Sequence, residues 1–220
     1  MTVAFFDLDR TVIDLNSGTS WLRMEWREGR VSTRDALWGV SVLARYALGH
    51  GALEEAYDAA VATYAGVHES EISDRTRTWF FRDIAHRVRP GARQAIAKHR
   101  AAGDRLVIAT SSSIYAAGAA REAYGFDDIV ASSFEVASDG RFTGRVASSA
   151  YGKAKADRAA EWASKAAIDL SACTFYTDSI TDLALMERVG RPVAINPDRP
   201  LRRLAAARGW AIEDWRTSDA

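Results

Sequence analysis

The chain has 220 residues, with 29 Lys plus Arg against 29 Asp plus Glu, so its formal net charge at pH 7 is zero. A dedicated nucleic-acid-binding protein normally carries a basic excess that matches its phosphate contacts, and this chain has none. Hydrophobic residues make up 48% of the chain and charged residues 26%, which is typical of a globular protein with a core. We therefore expect a folded protein that binds no nucleic acid.

The number of cysteines and the hydropathy of the chain predict the cellular compartment of the protein. Cys173 is the single cysteine, so no disulfide can form within the chain, and a reducing environment is expected. The first ten residues, MTVAFFDLDR, lack the basic and long apolar regions of a secretory signal. No apolar run approaches the roughly 18 residues of a membrane span. We predict a cytoplasmic protein with no membrane span, and nothing in the sequence indicates its oligomeric state.

Four apolar runs are each followed directly by polar residues, at 2–6, 106–109, 173–176 and 192–195. Each is typical of a buried strand, and helical patterns over 90–102 and 155–167 precede the second and third strands. Strands that alternate with helices predict an α/β fold, a Rossmann-like parallel sheet with helices on both faces. In such a sheet the ligand lies beyond the carboxyl ends of the strands.

Two segments interrupt this alternation. Residues 134–146 contain the dipeptide Asp139-Gly140 between apolar residues, which strongly indicates a hairpin. Residues 16–89 show no convincing strand, and their apolar residues recur at spacings of three and four, as in amphipathic helices. Breaks between these helices are expected at Gly49-His50-Gly51 and at Gly66-Val67. We predict a helical module inserted after the first strand.

Two acidic pairs follow predicted strands. Asp7 and Asp9 come directly after the first strand, and Asp178 and Asp182 after the third. Each pair alone also fits a capped turn or a helix N-terminus. Because the carboxyl ends of parallel strands lie at one edge of the sheet, the pairs should meet, and their repulsion favours a bound cation such as Mg²⁺. The four histidines show no metal-ligand spacing and are expected at the surface or hydrogen-bonded in the core.

Hydroxyl groups and a lysine complete the predicted strand ends. Thr110 ends the second strand, and a turn over 111–113 would offer backbone amides to phosphate oxygens, although a simple Ser/Thr turn also fits. Lys155 opens the helix before the third strand. A lysine is usually a solvated surface charge, but beside two acidic pairs it could bind phosphate and offset their charge.

These four pieces occur in the order of the haloacid dehalogenase superfamily of phosphohydrolases, which the chain resembles from Ala4 to about Trp215. The resemblance covers four motifs: Asp7-Leu8-Asp9-Arg10-Thr11, Thr110, Lys155, and Asp178 with Asp182. The helical insertion, the hairpin and the Tyr-Thr-Asp-Ser-x-x-Asp form of the fourth motif resemble the phosphoserine-phosphatase-like branch, subfamily IB. The resemblance implies a phosphatase with an α-helical cap inserted in an α/β core.

The resemblance also implies the chemistry. Asp7 would be the nucleophile that forms an aspartyl-phosphate, and Asp9 would act first as general acid and then as general base. Mg²⁺ would be held by Asp7, Asp178 and the backbone carbonyl of Asp9. Asp182 would support this shell through hydrogen bonds.

Phosphate binding is implied for Thr110, Ser111 and Lys155, which would hold the phosphoryl oxygens. Lys153 competes with Lys155 for this role. The family's Gly-x-x-Lys spacing, counted from Gly152, favours Lys155.

The inserted helices act in this family as a cap that closes over the site. Residues 16–89 are accordingly expected to form the cap, and residues 1–15 with 90–220 the catalytic core. The predicted activity is Mg²⁺-dependent hydrolysis of a small organic phosphomonoester. A phosphotransferase with the same intermediate and a noncatalytic binding module are the alternatives.

Two residues depart from the family pattern and are candidate substrate contacts. Arg10 replaces the usual Gly of the first motif, which implies a backbone conformation open to a non-Gly residue, with a side chain on substrate or in solvent. Asn16 stands where phosphoserine phosphatases usually carry a Glu that meets the substrate ammonium. Because Asn is neutral, phosphoserine is not expected as the substrate unless Asp14 or Glu25 supplies the charge.

Overall fold

The protein is built around a mostly parallel β-sheet. The computed structural model describes residues 2–34, 37, 41 and 53–217, with the backbone alone for 53–57. Seven strands form the sheet within these residues: β1 (Val3–Phe6), β2 (Arg105–Ser113), β3 (Asp128–Val136), β4 (Phe142–Ser148), β5 (Thr174–Thr177), β6 (Arg191–Ile195) and β7 (Ala211–Glu213). Their order across the sheet is β4-β3-β2-β1-β5-β6-β7. Neighbouring strands pair in parallel except β3 and β4, which form the predicted antiparallel hairpin.

The central strand β1 is buried on both faces. It pairs with β2 on one side and with β5 on the other, and its four residues are fully buried. Ala4 and Phe6 pack into the core on one face, while Val3 and Phe5 pack into the core on the opposite face. A strand covered on both faces has no polar side, which explains its continuous apolar run.

Helices cover both faces of the sheet. They are α1 (Ser17–Arg27), α2 (Leu53–Ala62), α3 (Glu69–Trp79), α4 (Pro90–Ala101), α5 (Ile114–Tyr124), α6 (Lys153–Lys165), α7 (Leu183–Met186) and α8 (Arg199–Arg208). α4 and α5 pack on the face of Phe6, whereas α6, α7 and α8 pack on the face of Phe5. No helix among the described residues is long and apolar enough to cross a membrane. The predicted Rossmann-like α/β fold is confirmed.

The named elements that the structure describes between β1 and β2 are all helices or helical turns, joined by loops and isolated β-bridges. The predicted break at Gly66-Val67 separates α2 from α3, and α3 continues through a π-helical turn (Phe80–Ile84) and a 3-10 turn (Ala85–Arg87). The predicted break at Gly49-His50-Gly51 lies outside the described residues. This segment contacts the hairpin through backbone hydrogen bonds from Gly66 N to Phe142 O (2.8 Å) and from Phe142 N to Val67 O (2.9 Å).

Several elements differ from the sequence prediction. The sequence predicts that β2 ends at Ala109 and a turn follows, but β2 runs to Ser113, because pairing with β3 resumes at Ser113–Ser132 after a register shift. The prediction of a turn over 111–113 is therefore wrong. The helix α6 begins two residues before its predicted start, and the sequence analysis placed no element at α8 or β7. All three residues of β7 are exposed, so this edge strand has no hydrophobic pattern.

Candidate active site

Asp7 lies at the carboxyl end of β1, at the point where the sheet pairing with β5 ends. Its backbone N–H donates to the carbonyl of Tyr176 (2.9 Å), which extends the pairing by one residue and fixes the direction of the side chain. The residue is 6% exposed. Burial raises the pKa of Asp7 well above its ordinary value, Lys155 opposes this, and the carboxylates of Asp182, Asp178 and Asp9 reinforce it.

Lys155 joins the two predicted acidic pairs. Its ammonium lies 3.0 Å from Asp7 Oδ1 and 2.6 Å from Asp182 Oδ1, and the side chain is buried. Burial disfavours the charged form of Lys155, but the carboxylates of Asp182 and Asp7 outweigh it and raise its pKa above the ordinary value. Thr177, the last residue of β5, donates to Asp182 Oδ2 (2.6 Å). The ends of β1 and β5 therefore share one buried cation.

Lys153, the competing lysine, lies at the surface. It is exposed and pairs with Asp157 one turn along α6 (2.7 Å). The difference follows from helical geometry, because residues 153 and 155 point about 200° apart on a helix with 3.6 residues per turn. One of the two lysines faces the core and the other faces solvent.

The half-buried carboxylate of Asp178 has few hydrogen-bond partners to replace the water that it loses. Its side chain is contacted by Thr11 Oγ1 at 3.5 Å, the limit of a hydrogen bond. Burial raises the pKa of Asp178 to about 7, and the charge of Asp182 adds to this rise. Its backbone carbonyl accepts from Asp198 N (2.8 Å), so the loop is held while the carboxylate is left largely unpaired.

Asp9 is held by hydrogen bonds rather than by a cation. Its Oδ1 accepts from the backbone N–H of Ser17 (2.8 Å), and its Oδ2 lies within reach of the hydroxyls of Ser17 (3.0 Å) and Ser112 (2.9 Å). Burial raises the pKa of Asp9, and these hydrogen bonds oppose that rise. A carboxyl with a raised pKa is suited to give and take a proton near neutral pH.

The charge balance of the cluster fits a divalent cation. Four carboxylates, of Asp7, Asp9, Asp178 and Asp182, act on one another here, and the ammonium of Lys155 contacts two of them, Asp7 and Asp182. Among the described residues no three His, Cys, Asp or Glu side chains form a complete metal cage. Mg²⁺ needs no such cage, because it usually takes one or two carboxylates together with waters and substrate phosphate. Among the described residues, Asp7 Oδ2 has no hydrogen-bond partner and the carboxylate of Asp178 has only Thr11, at 3.5 Å.

The predicted phosphate-binding residues lie at the end of β2. Thr110 is buried, and its hydroxyl accepts from the backbone N–H of Ser112 (3.2 Å). The carbonyl of Ser111 accepts from the hydroxyl of Ser132 (2.9 Å), and Ser111 itself is half-buried. This pattern holds the irregular end of β2 against β3 and places two hydroxyl residues beside the carboxyl end of β1.

Arg10 and Asn16 have local roles that the structure defines. Arg10 has φ +59°, in the left-handed region that favours glycine but is open to other residues. Its side chain is exposed, and its charge lowers the pKa of Asp178 against the larger effect of burial. Asn16 caps α1, since its Oδ1 accepts from Thr19 N (2.9 Å).

The two acidic alternatives for ammonium recognition are already paired. Asp14 accepts two hydrogen bonds from Arg87, at 2.8 and 3.0 Å. Glu25 is buried in α1, where Arg30 lies at 2.8 Å and Arg75 at 3.7 Å. Neither carboxylate is left to meet a substrate ammonium.

Sequence reasoning missed the residues that hold the carboxylates in place. Ser17 and Ser112 contact Asp9, Thr177 contacts Asp182, and Asp198 fixes the loop of Asp178. Thr177 could have been found, because it directly precedes the fourth motif. The others come from segments whose position relative to the motifs is set by the fold.

The chain belongs to the haloacid dehalogenase-like hydrolase family, whose family model matches residues 4–187. The "Inhibition of morphological differentiation protein" of Streptomyces azureus is 35% identical over 217 residues, which cover 97% of this chain and 78% of that protein. A histidinol-phosphatase of Neisseria meningitidis serogroup C (strain 8013) is 26% identical over 215 residues, 96% of this chain and 97% of that protein. The family confirms the predicted hydrolase, and the phosphatase relative agrees with the predicted class, a phosphoric monoester hydrolase.

Solved structures confirm the fold. A protein described as of unknown function from Bordetella pertussis Tohama I has a TM-score of 0.88 at 29% identity, covering 98% of this chain and 100% of that one. A structure described as the phospho-aspartyl intermediate analogue of phosphoserine phosphatase has a TM-score of 0.69 at 16% identity, covering 99% and 94%. The second likeness concerns the fold, and it agrees with the predicted phosphoserine-phosphatase-like branch of the family.

Proposed function

We propose that the chain is a Mg²⁺-dependent phosphatase that hydrolyses a small organic phosphomonoester through an aspartyl-phosphate on Asp7. The observation that carries the proposal is the buried cluster at the carboxyl ends of β1 and β5. In it, Asp7 and Asp182 share Lys155, while Asp178 keeps a largely unpaired carboxylate. A site that only stabilised the fold would balance these charges, because even a half-buried carboxylate such as Asp178 loses solvation that few partners replace.

Asp7 is the nucleophile in this proposal. Lys155 holds Oδ1, whereas Oδ2 has no hydrogen-bond partner among the described residues. Oδ2 attacks phosphorus, the ester P–O bond breaks, and the alcohol leaves. The phosphoserine phosphatase structure described as a phospho-aspartyl intermediate analogue shares this fold, which supports the same type of intermediate here.

Asp9 handles the protons in this proposal. It gives a proton to the leaving oxygen in the first half of the reaction and takes one from water in the second half. The raised pKa of Asp9, which burial causes, suits the first step. Thr110, Ser111 and Lys155 bind the phosphoryl oxygens, with Lys155 supplying the buried positive charge.

Mg²⁺ would be held by the carboxylates of Asp7 and Asp178 and by the backbone carbonyl of Asp9. Asp182 supports this arrangement by orienting Lys155 (2.6 Å). When bound, the ion supplies positive charge for the phosphate oxygens and offsets the repulsion among the carboxylates. The surplus of negative charge in the cluster is what supports this part of the proposal.

Residues 16–89 form the cap over this site, and residues 1–15 with 90–220 form the core. The helical character of the described part of 16–89 supports this division. Because Asp14 and Glu25 are paired with arginines and Asn16 is neutral, the substrate is a phosphomonoester that needs no carboxylate for an ammonium at this position. The cytoplasmic location expected from the sequence stays a prediction.

Turnover of p-nitrophenyl phosphate by the purified chain, with Mg²⁺ and with EDTA, tests the proposal. We expect Mg²⁺-dependent release of p-nitrophenol, and a loss of at least about 10³-fold in Asp7→Asn, because the amide keeps the shape but is a poor nucleophile. Circular dichroism and a thermal melt check that the variant is folded. A panel of amino-alcohol, histidinol, sugar and lipid-headgroup phosphates then identifies the substrate class.

Two results would contradict the proposal. No Mg²⁺-dependent turnover across the whole panel would favour a noncatalytic binding module. Full activity of a folded Asp7→Asn would show that the nucleophile is another residue.

A further inference from the structure

Two serines from distant parts of the chain hold the carboxyl group of Asp9. The hydroxyl oxygens of Ser17 and Ser112 lie 3.0 and 2.9 Å from Asp9 Oδ2, and 2.9 Å from each other. These three oxygens form a closed triangle. The backbone N–H of Ser17 donates separately to Asp9 Oδ1 (2.8 Å).

The two carboxyl oxygens of Asp9 differ in what remains available to a substrate. Each carboxylate oxygen offers two in-plane acceptor positions. On Oδ2 both are taken, one by each serine hydroxyl, and Asn16 Nδ2 lies at 3.5 Å as well. On Oδ1 the backbone N–H of Ser17 takes one, and no other described residue takes the second. Oδ1 is therefore the oxygen that can exchange a proton with a ligand.

The arrangement depends on the docking of two separate elements. Ser17 is the first residue of α1 and is 2% exposed, whereas Ser112 lies near the end of β2 and is half-buried. The free N–H groups and the positive dipole end of a helix N-terminus stabilise a carboxylate. Asp9 is thus oriented only when the first helix of the inserted segment lies against the end of β2.

We propose that Ser17 and Ser112 are positioning residues for the proton transfers of Asp9, an inference that rests on the proposed function. Their hydroxyls hold Oδ2 and thereby direct Oδ1 to the ester. In the first step the Oδ1–H bond breaks and the proton joins the leaving oxygen as the ester P–O bond breaks. In the second step a water proton moves to Oδ1, the water oxygen bonds to phosphorus, and the P–O bond to Asp7 breaks.

The test uses three substrates that differ in the basicity of the leaving oxygen. They are p-nitrophenyl phosphate, phenyl phosphate and benzyl phosphate, in order of increasing need for protonation of the leaving group. In Ser112→Ala and Ser17→Ala we expect kcat/KM on benzyl phosphate to fall about 10- to 100-fold, part of what a positioned general acid contributes. On p-nitrophenyl phosphate we expect a fall several times smaller, because p-nitrophenolate leaves without a proton.

Three further variants separate positioning from structure. Ser112→Thr keeps the hydroxyl and should restore most of the activity on benzyl phosphate. Ser20→Ala changes a serine one turn further along α1 that does not contact Asp9, and it should leave the dependence on leaving group unchanged. The double variant Ser17→Ala/Ser112→Ala should lose less than the product of the two single losses, because both hydroxyls act on one oxygen.

The possible results distinguish this inference from the function on which it rests. A folded Ser112→Ala that loses the same factor on all three substrates overturns the inference and leaves the phosphatase in place. A wild-type chain that turns over none of them overturns the proposed function, and the inference with it. If Ser17→Ala does not fold, Ser112→Ala decides alone, because Ser112 is half-buried and lies outside any helix.

Discussion

Two buried hydrogen-bond networks meet at β5 and differ in their balance of charge. In the first, which we call the structural network, His99 Nδ1 lies 2.8 Å from Asp104 Oδ2 and His99 Nε2 lies 2.9 Å from the hydroxyl of Tyr176. The hydroxyl of Thr2 completes it by donating to Asp104. The carboxylate of Asp104 is thus contacted by His99 and by both the hydroxyl and the backbone N–H of Thr2, and the rings of His99 and Tyr176 pack against Phe6.

The second, the site network, begins at the next residue of β5. Thr177 donates to Asp182, which shares Lys155 with Asp7, while Asp178 remains nearly unpaired. In the structural network the one carboxylate is fully hydrogen-bonded, whereas in the site network four carboxylates surround one ammonium and the carboxylate of Asp178 has only one distant partner. Burial of polar groups is therefore not enough to indicate a functional site. A set of charges withdrawn from water that the protein itself does not neutralise is the stronger indication.

Among the substitutions that test this comparison, Lys155→Met should have the largest effect on stability and turnover. It removes the single ammonium from the site network and leaves Asp7 and Asp182 buried beside each other. Breaking a buried ion pair from one side typically costs about 3–5 kcal/mol of unfolding free energy. Loss of its charge near the phosphate should lower turnover by about 10²–10³-fold. Urea denaturation and turnover of p-nitrophenyl phosphate measure the two effects.

Lys153→Met is the matched control for this prediction. Lys153 is exposed and pairs with Asp157 on the same helix, an interaction of about 0.5 kcal/mol or less. We expect almost unchanged stability and turnover. Equal behaviour of the two variants would mean that the charge imbalance of the site network is not real.

Much of the site network is predictable from sequence because local pattern determines it. The apolar runs that end at Asp7 and Asp178 indicate buried strands, and parallel strands present their carboxyl ends at one edge. The strand ends follow from hydrophobic pattern and topology, which a sequence displays directly. The preference for Lys155 over Lys153 comes instead from the family's Gly-x-x-Lys spacing.

Other features depend on contacts that no local pattern contains. Ser17 and Ser112 meet at Asp9 although 95 residues separate them, because α1 docks on the end of β2. The left-handed backbone of Arg10 arises where Arg10 N–H bonds to the carbonyl of Leu15 (3.0 Å) in a tight loop. His99 was expected only as a surface or core histidine, since its partner Tyr176 lies on a strand 77 residues away.

His99→Leu tests the structural network and should have the next largest effect. The substitution leaves the buried hydroxyl of Tyr176 without its partner and removes one of the partners of Asp104, at a cost of about 1–3 kcal/mol of unfolding free energy. Because no side chain of the structural network contacts a side chain of the proposed chemistry among the described residues, kcat on p-nitrophenyl phosphate should stay near the wild-type value at a temperature where the variant is folded. A large fall in kcat without loss of stability would show that the two networks act together.

Asp178→Asn sharpens the comparison through the pH dependence of stability. Burial, followed by the charge of Asp182, raises the folded-state pKa of Asp178 from 3.8 to about 7. Between these two values the unfolded chain has ionised this group while the folded protein keeps it protonated, so stability falls as the pH rises through that window. In EDTA, the wild type should therefore lose about 2–3 kcal/mol more unfolding free energy than Asp178→Asn between pH 5 and pH 8, because each pH unit below the folded-state pKa corresponds to about 1.4 kcal/mol. At pH 8, added Mg²⁺ should restore the lost unfolding free energy in the wild type but not in the variant, because the ion binds the ionised carboxylate.

Identical pH dependence of stability in the two proteins would contradict this prediction. It would mean that the charge of Asp178 is already neutralised, and the site network would then be as balanced as the structural network.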